Sequence, residues 1–483
     1  MHDLERPRML APTFLVFHTY DNIGHGHQKY WLCWRGRRTF PILQVMQFSD
    51  LALEVPHILL PHGDVPVHTW AVIACDQHTT DPGYWERVDG LVGSARSTRK
   101  LVFPELYLGA DDSAQRIEQI RAAMAEYSTQ GVLRELPRGF VLVDRQTPHV
   151  ESRRGLLVAL DLEQYSYEDG ALTLIRTTEG TVVSRLAPRI AVRRGTPLEV
   201  PHILVLIDDP LRTVIEPLFD ADLPALYDTE LMLGGGRVRG WQVSEPTLID
   251  QVVTALRGLI SGDDDPMLYA MGDGNHSFAT AQAVWQEIKQ TAGGLSAVAD
   301  HPARHALVEL VNLHDDGLVF EPIHRVLFGC DFDDLVTAFS AACPTLGSGV
   351  TVQLCDTPTS WTEARLIPSN TETHRLPFVA GQRRGIISLH DPTGSLPAVS
   401  LQDFLNDFEQ DHASVEVDYL HGEQTVERLG SEAGNIGLYS EVIDKHALFP
   451  TIRRDGPLPR KSFSLGEATE KRYYLECRRI ATE

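Results

Sequence analysis

The chain has 483 residues, 43% hydrophobic and 23% charged, and its 43 Lys and Arg against 66 Asp and Glu leave a formal net charge of −23. That composition excludes a disordered chain, a collagen-like chain and a coiled-coil rod, and the length predicts two or three domains, or one large domain with insertions. So acidic a surface repels phosphate backbones and anionic lipid, so neither nucleic acid nor a membrane is expected as partner; a local basic pocket for a small anion is compatible with it.

Residues 1–45 carry six Lys and Arg against three acids and show no sustained period. They read as a non-native or disordered extension, with ordinary globular sequence beginning at Met46; a basic, His-containing binding arm is the alternative. Six cysteines without a Cys-x-x-Cys pair, no signal peptide and no apolar run near ~18–20 residues predict a cytoplasmic setting.

Trp70–Cys75 reads as a buried strand ending in Asp76-Gln77-His78. Helical spacing follows over Ser113–Tyr127. Strands are predicted at Phe140–Asp144, Gly155–Asp161, Leu172–Thr177, His202–Ile207 and Arg237–Val243, and a helix over Thr247–Leu259. This mixture predicts an α/β or α+β fold. The main domain is placed at 46–330 and a smaller lobe or insertion at 331–430. A C-terminal segment, 431–483, returns to the main site. Glu423–Leu429 and Gly466–Cys477 read as helices.

The densest local signal is Met267–Met271 as a strand, Gly272–Ser277 as a polar turn, and Phe278–Gln290 as a helix with Ser277 at its N-cap. A strand, glycine turn and helix leave backbone N–H groups free to meet an anion, with the helix dipole behind them. Asp273 and His276 stand at that mouth, where they could act as base, acid, metal ligand or substrate clamp. The alternative is an Asx-type turn that satisfies only itself.

Other signatures fail. Gly234-Gly235-Gly236 lacks the Lys-Ser/Thr of a phosphate loop and reads as a hairpin or bulge. No His-Glu-x-x-His and no Gly-x-Ser-x-Gly occurs. A carboxylate-held Mg²⁺ stays open, with Asp208, Asp209, His314, Asp315 and Asp316 as candidates, each also readable as a turn residue. Thr177–Thr181 closes a strand with an acid among hydroxyls. Arg185, Arg189, Arg193 and Arg194 form a basic run that could neutralise phosphate or line a solvated strand face. Pro322–Arg325 and Pro459–Ser462 are further basic pieces.

Together, Trp70–Gln77, Thr177–Thr181, Gly272–Ser277, Glu321–Arg325 and Leu458–Arg472 resemble the bacterial family known as domain of unknown function 1015. The resemblance runs in order from about Met46 to the C-terminus. It implies a ParB/sulfiredoxin-like core, in a group that includes nucleotide-dependent kinases of free serine, where an Asp-Gly-His-His-Arg turn opens a helix at the nucleotide and substrate site. Here Asp273, Gly274 and His276 fit that turn, while Asn275 replaces its first His and Ser277 its Arg. Thr178 stands where a His precedes Glu179 and Thr181. The Pro-x-Lys-Ser piece is intact at Pro459, Lys461 and Ser462.

The resemblance therefore implies ATP or ADP with Mg²⁺ as cofactors. It implies phosphoryl transfer to a small hydroxyl-bearing, serine-like metabolite. Catalytic roles fall to Asp273, His276 and Glu179, with Glu179 or Asp273 as the base. Gly274, Asn275, Ser277, Arg185, Arg189, His324, Arg325, Arg460, Lys461 and Ser462 would bind the nucleotide, and Asp76 the metal. The alternatives are a non-catalytic nucleotide-binding regulator and a metal-assisted hydrolase on Asp273, His276 and Asp76.

Overall fold

The first three residues of Tyr269–Asp273 are fully buried, as in a strand flanked on both sides and covered on both faces. The strand lies in an 11-stranded mixed sheet of the computed structural model, which describes residues 46–168, 170–260, 262 and 265–482. The expectations for residues 1–45 lie outside the described residues.

The sheet contains β1 (Gln47–Phe48), β2 (Leu53–Glu54), β3 (Phe140–Gln146), β4 (Arg153–Asp161), β5 (Tyr165–Ser166), β6 (Ile175–Arg176), β7 (Leu204–Ile207), β8 (Ala225–Glu230), β9 (Arg237–Val243), β10 (Tyr269–Asp273) and β11 (His305–Asn312). Their order is β8-β9-β3-β4-β11-β7-β10-β6-β5, with β2 also against β4 and β1 against β2. Pairing is parallel for β7 with β11, β10 with β6 and β6 with β5, and antiparallel elsewhere. Near-continuous apolar runs place β4 and β11 in the middle, whereas β8, at the edge, buries only Tyr227.

A second, antiparallel sheet holds β12 (His324–Phe328), β13 (Gly349–Leu354), β14 (Thr373–Ala380), β15 (Arg383–His390), β16 (Glu416–Leu420) and β17 (Asn435–Leu438), in the order β13-β15-β14-β17-β12-β16. Its side chains alternate with period two. Leu327, Phe378 and Ile387 pack under the helices Phe332–Leu346 and Pro397–Asp411. Val326, Val379 and Ile386 face Trp361 and Val426 on the other side.

The C-terminal stretch differs from its expected form. Gly466–Cys477 is not a helix but a single 3₁₀ turn, Ala468–Glu470, followed by the strand Tyr473–Tyr474. That strand pairs with Val72–Ile73, about 400 residues earlier, and the long-range pairing overrides local helix propensity. Trp70–Cys75 also departs from one strand: a helical turn, Val67–Trp70, precedes the two-residue strand. Phe463–Leu465 and Arg478–Arg479 likewise pair with Phe320–Pro322 and Leu198–Glu199. Among the described residues no helix is long and apolar enough to cross a membrane.

Candidate functional site

Two helices frame the end of β10: α1 (Leu186–Arg193) and α2 (Asn275–Thr291). On β7, Leu204 pairs with Asp273 but Val205 pairs with Met271, so Gly272 is an extra residue. Such a bulge turns the end of a strand, here bringing Asp273 to the helix mouth. Gly274 then adopts φ +78°. A Cβ there would sit 3.1 Å from Ile203 Cγ1 and 3.2 Å from the Ile203 Cα. Gly274→Ala should therefore cost about 1–2 kcal/mol, read as a lowered melting temperature; an unchanged melt would contradict the strained turn.

The N-cap of α2 is Gly274 and not Ser277, which lies at the third helical residue. A glycine cap offers no side-chain acceptor. Phe278 N–H bonds Gly274 C=O at 3.0 Å, but among the described residues no acceptor takes the N–H groups of Asn275, His276 and Ser277. The first turn itself carries no acidic residue; the nearest carboxylate, Asp273 just before the cap, is paired with Lys471.

The side chains here are electrostatically distinct. Asp273 accepts from Lys471 Nζ at 3.0 Å and from Gly274 N–H at 2.8 Å. Burial pushes its carboxyl up, but the Lys471 charge, His202 and these hydrogen bonds outweigh burial and hold it below the ordinary range. Glu179 moves the other way. Its oxygens accept from the N–H groups of Lys461 and Ser462, each at 3.2 Å, yet burial dominates and its proton affinity is raised. His276 Nε2 accepts the Val182 N–H at 3.3 Å, so the neutral ring carries its proton on Nδ1. Burial, then the charges of Arg189 and Arg185, lower its pKa to about 4.

This shift has a pH signature. The folded pKa of His276 lies below the unfolded value near 6.5, so stability is full above about 6.5 and declines as pH falls toward about 4, by up to ~1.4 kcal/mol per pH unit. His276→Gln, which can still accept from Val182, should flatten that slope in denaturant titrations at pH 7 and pH 5. Equal slopes in both proteins would count against it.

Beside them, Tyr474 OH meets His202 Nδ1 at 2.9 Å and accepts the Cys75 N–H at 3.1 Å. Burial pushes the tyrosine well up, so it stays protonated. The other ring nitrogen of His202, Nε2, lies 3.2 Å from Ser277 Oγ.

Two spaces adjoin the first turn of α2. A cleft of about 1110 Å³ is lined by Gly180, Thr181, Val182, Arg460 and residues of the 392–406 and 447–459 segments. A cavity of about 140 Å³, open on one side, is lined by His202, Ser277 and Tyr474, by the ion pairs Arg189–Glu105 and Arg193–Glu199, and by apolar side chains that supply most of its surface. His276 bonds the cleft-wall residue Val182, and its neighbour Ser277 lines the cavity.

His276 stands within reach of the charges of Arg185, Arg189, Asp76 and Arg460, while Glu179 is held by the N–H groups of Lys461 and Ser462, and Asp273 by Lys471. Their roles differ. Arg189 is already paired with Glu105, Nε to Oε1 at 2.8 Å, and Arg185 is exposed at the start of α1. Lys461 is exposed at φ +61°, and Ser462 is fully buried with its hydroxyl on Pro459 C=O at 2.6 Å. The basic run Arg185–Arg194 is helical where a strand face was one reading.

His324 and Arg325 are buried on β12 of the second sheet. His324 Nδ1 accepts from Ser440 N–H at 3.0 Å. Arg325 donates to Ile323 C=O, Ser440 Oγ, Gln402 Oε1 and Lys461 C=O, so it braces the Lys461 turn and offers little to a ligand. Asp208 pairs with His314 at 2.8 Å, Asp209 caps Thr213 and Val214, and Arg212 holds Asp316, all as local contacts.

Among the described residues no three His, Cys, Asp or Glu side chains stand close enough to hold a metal. Asp76, accepting from Gln77 and 3.8 Å from His202, fits a Mg²⁺ only as a single carboxylate beside phosphate oxygens. Sequence reasoning missed Lys471, His202 and Tyr474 as site residues. Lys471 sits in the quoted C-terminal piece, but its partner Asp273 is 198 positions away.

The model of the family described as Protein of unknown function (DUF1015) matches residues 59–406. No curated protein matches the chain. Among solved structures it is similar to a conserved hypothetical protein from Pyrococcus furiosus, with 12% identity and TM-score 0.34 over 66% of this chain and 90% of that one. It is also similar to a mutant of free serine kinase in complex with ADP, with 12% identity and TM-score 0.36 over 67% and 92%. For free serine kinase in complex with AMP the values are 11%, 0.35, 67% and 91%.

Proposed function

This chain belongs to the family described as Protein of unknown function (DUF1015), and we propose that it is a nucleotide-dependent phosphotransferase acting on a small hydroxyl-bearing metabolite. One observation carries the reading. The first turn of α2, whose N–H groups at 275–277 have no acceptor among the described residues, lines a cavity suited to a small acceptor through Ser277 and is bonded through His276 to Val182 in the wall of a cleft large enough for a nucleotide. Phosphoryl transfer needs in-line positioning and charge neutralisation more than covalent chemistry by the protein.

In this proposal Glu179 takes the acceptor's hydroxyl proton. The hydroxyl oxygen attacks the terminal phosphorus, and the bond from that phosphorus to the nucleotide breaks. The free N–H groups of residues 275–277, His276 Nδ1–H, Arg185, Arg460 and Lys461 meet the phosphate charge. Asp273 stays ionised and orients Lys471. A magnesium ion, held by Asp76 and phosphate oxygens, would neutralise further charge. The ParB- and sulfiredoxin-like kinship belongs to the same proposal, supported by the Asp273-Gly274-x-His276 turn.

The test is product formation. Full-length protein with ATP or ADP, Mg²⁺ and a panel of small alcohols should yield a phosphorylated acceptor by phosphorus NMR. Nucleotide binding without acceptor-dependent product would favour a regulator instead; product from water alone would favour a hydrolase.

Lys461 offers a sharper comparison. Its N–H holds Glu179 and its backbone is left-handed, so Lys461→Gly keeps the turn and relieves about 1 kcal/mol of strain, whereas Lys461→Ala keeps the strain. If the ammonium binds phosphate, both variants should weaken nucleotide binding about tenfold or more. A glycine variant that binds like wild type would leave the side chain without that role.

A further inference from the structure

The cavity beside Ser277 is chemically lopsided. Leu101, Phe103, Met124, Leu198 and Ile203 line it, all nearly inaccessible to solvent. Its polar groups are mostly spent. Thr280 Oγ1 donates to His276 C=O at 2.6 Å, Arg189 is paired with Glu105, and His202 lies between Tyr474 and Ser277. What remains is the Ser277 hydroxyl at one end, with one hydrogen-bonding position beyond its His202 contact, next to the free N–H groups of α2.

We infer that the acceptor is a small alcohol with a hydrocarbon body, its hydroxyl hydrogen-bonded to Ser277 and its body filling this cavity. The inference rests on the phosphotransferase reading for the fate of the hydroxyl, but the apolar seat is a property of the cavity alone. At about 30 Å³ per water-sized group, about 140 Å³ holds roughly five carbons. Serine would bring an ammonium and a carboxylate to a largely apolar wall whose charged residues, Glu105 with Arg189 and Glu199 with Arg193, are already paired with each other, an unfavourable burial. A methylene in the same place gains about fourfold in affinity, from ~0.8 kcal/mol each.

The test uses the full chain with ethanol, 1-propanol, 1-butanol, 3-methylbutan-1-ol, 1-octanol and serine, with affinities read by ligand-observed NMR in the absence of nucleotide. Affinity should rise about fourfold per methylene to roughly five carbons and then stop, with serine among the weakest. Val192→Phe and Val200→Phe, at half-buried wall positions, should fill the space and weaken 3-methylbutan-1-ol at least tenfold while leaving AMP affinity unchanged. Met124→Ala should instead enlarge the cavity and move the optimum to longer chains; a cooperative melt identifies the variants that fold. Serine binding as well as 3-methylbutan-1-ol, or filled variants that bind the series as wild type does, would overturn the inference. A series that behaves as expected but yields no phosphorylated product with ATP or ADP sinks the phosphotransferase reading and leaves the apolar seat standing.

Discussion

Glu179→Gln should remove turnover, by about 10²–10⁴-fold as for loss of a general base, while changing the melting temperature little. Asp273→Asn should do the reverse in stability. The two carboxylates sit in environments that push them apart. Burial raises Glu179, and Lys471 with His202 outweighs burial at Asp273. A pair separated in this way divides naturally into a group that exchanges a proton and one that stays ionised.

At Glu179 two effects oppose each other on substitution. Glutamine relieves a buried charge, but its amide nitrogen meets one of the two N–H groups that the carboxylate accepts from Lys461 and Ser462. Each effect is about 1–2 kcal/mol, so the net is small. At Asp273, asparagine leaves the buried Lys471 ammonium without its counter-charge, and a loss of about 1–3 kcal/mol follows.

The pH dependence has a definite sign. A carboxylate whose folded pKa is raised stabilises the fold relative to neutral pH only below that pKa, and this contribution is lost as pH rises through it. Wild-type turnover should instead fall as pH drops through the raised Glu179 value, because the base must be ionised. Turnover retained in Glu179→Gln, measured as acceptor-dependent nucleotide consumption, would remove Glu179 from the chemistry. Equal melting losses in the two variants would remove the electrostatic division between them.

Several elements were legible because local pattern and tertiary demand agree. Arg237–Val243 is a strand in sequence and in structure, and Ser113–Tyr127 extends only to Thr129 as a helix. The turn at Asp273 was legible as strand, glycine and helix, but its cap was not. Ser277 has the chemistry of a cap, and what displaces it is the left-handed Gly274 backbone, which starts the helix three residues earlier. The lysine facing Asp273 was harder still. Lys461 and Lys471 are ten positions apart in one basic stretch, and nothing local says which one reaches the carboxylate. The fold chooses Lys471 because the residues that follow it, Tyr473–Tyr474, are tied to Val72–Ile73. His324 and Arg325 looked like a ligand-binding pair because short basic pieces are usually exposed; burial with backbone and side-chain partners makes them braces.

Arg472→Met should destabilise the protein by about 3–5 kcal/mol, the usual cost of breaking a buried ion cluster by removing one partner. Arg472 is 5% exposed and pairs with both Glu309 and Glu476, each 1% exposed. Its Nε also donates to Pro201 C=O at 3.3 Å, and the Tyr227 hydroxyl donates to Glu476. Gly155 makes room for this cluster, since a Cβ there would collide with the Glu309 carboxylate. Methionine fills much of the arginine's volume, so the loss reports charge and hydrogen bonding more than a cavity. Two buried carboxylates would face each other without a cation, which neither can leave for water.

The consequence reaches the site through the chain. Lys471 turns one way to Asp273, Arg472 the other way into the core, and Tyr474 back to His202, so the buried arginine anchors the strand that delivers both partners. Arg472→Met should therefore lower the melting temperature by roughly 3–6 °C, from ~2.1 cal/mol/K per residue, and weaken acceptor binding in the fraction that stays folded. The triple variant Arg472→Met, Glu309→Leu, Glu476→Leu should recover most of the stability, because an apolar cluster of similar volume replaces an ionic one at little net cost. If the single variant melts as wild type does, the cluster is not an anchor. If the triple variant is no better than the single, packing and not charge accounts for the loss.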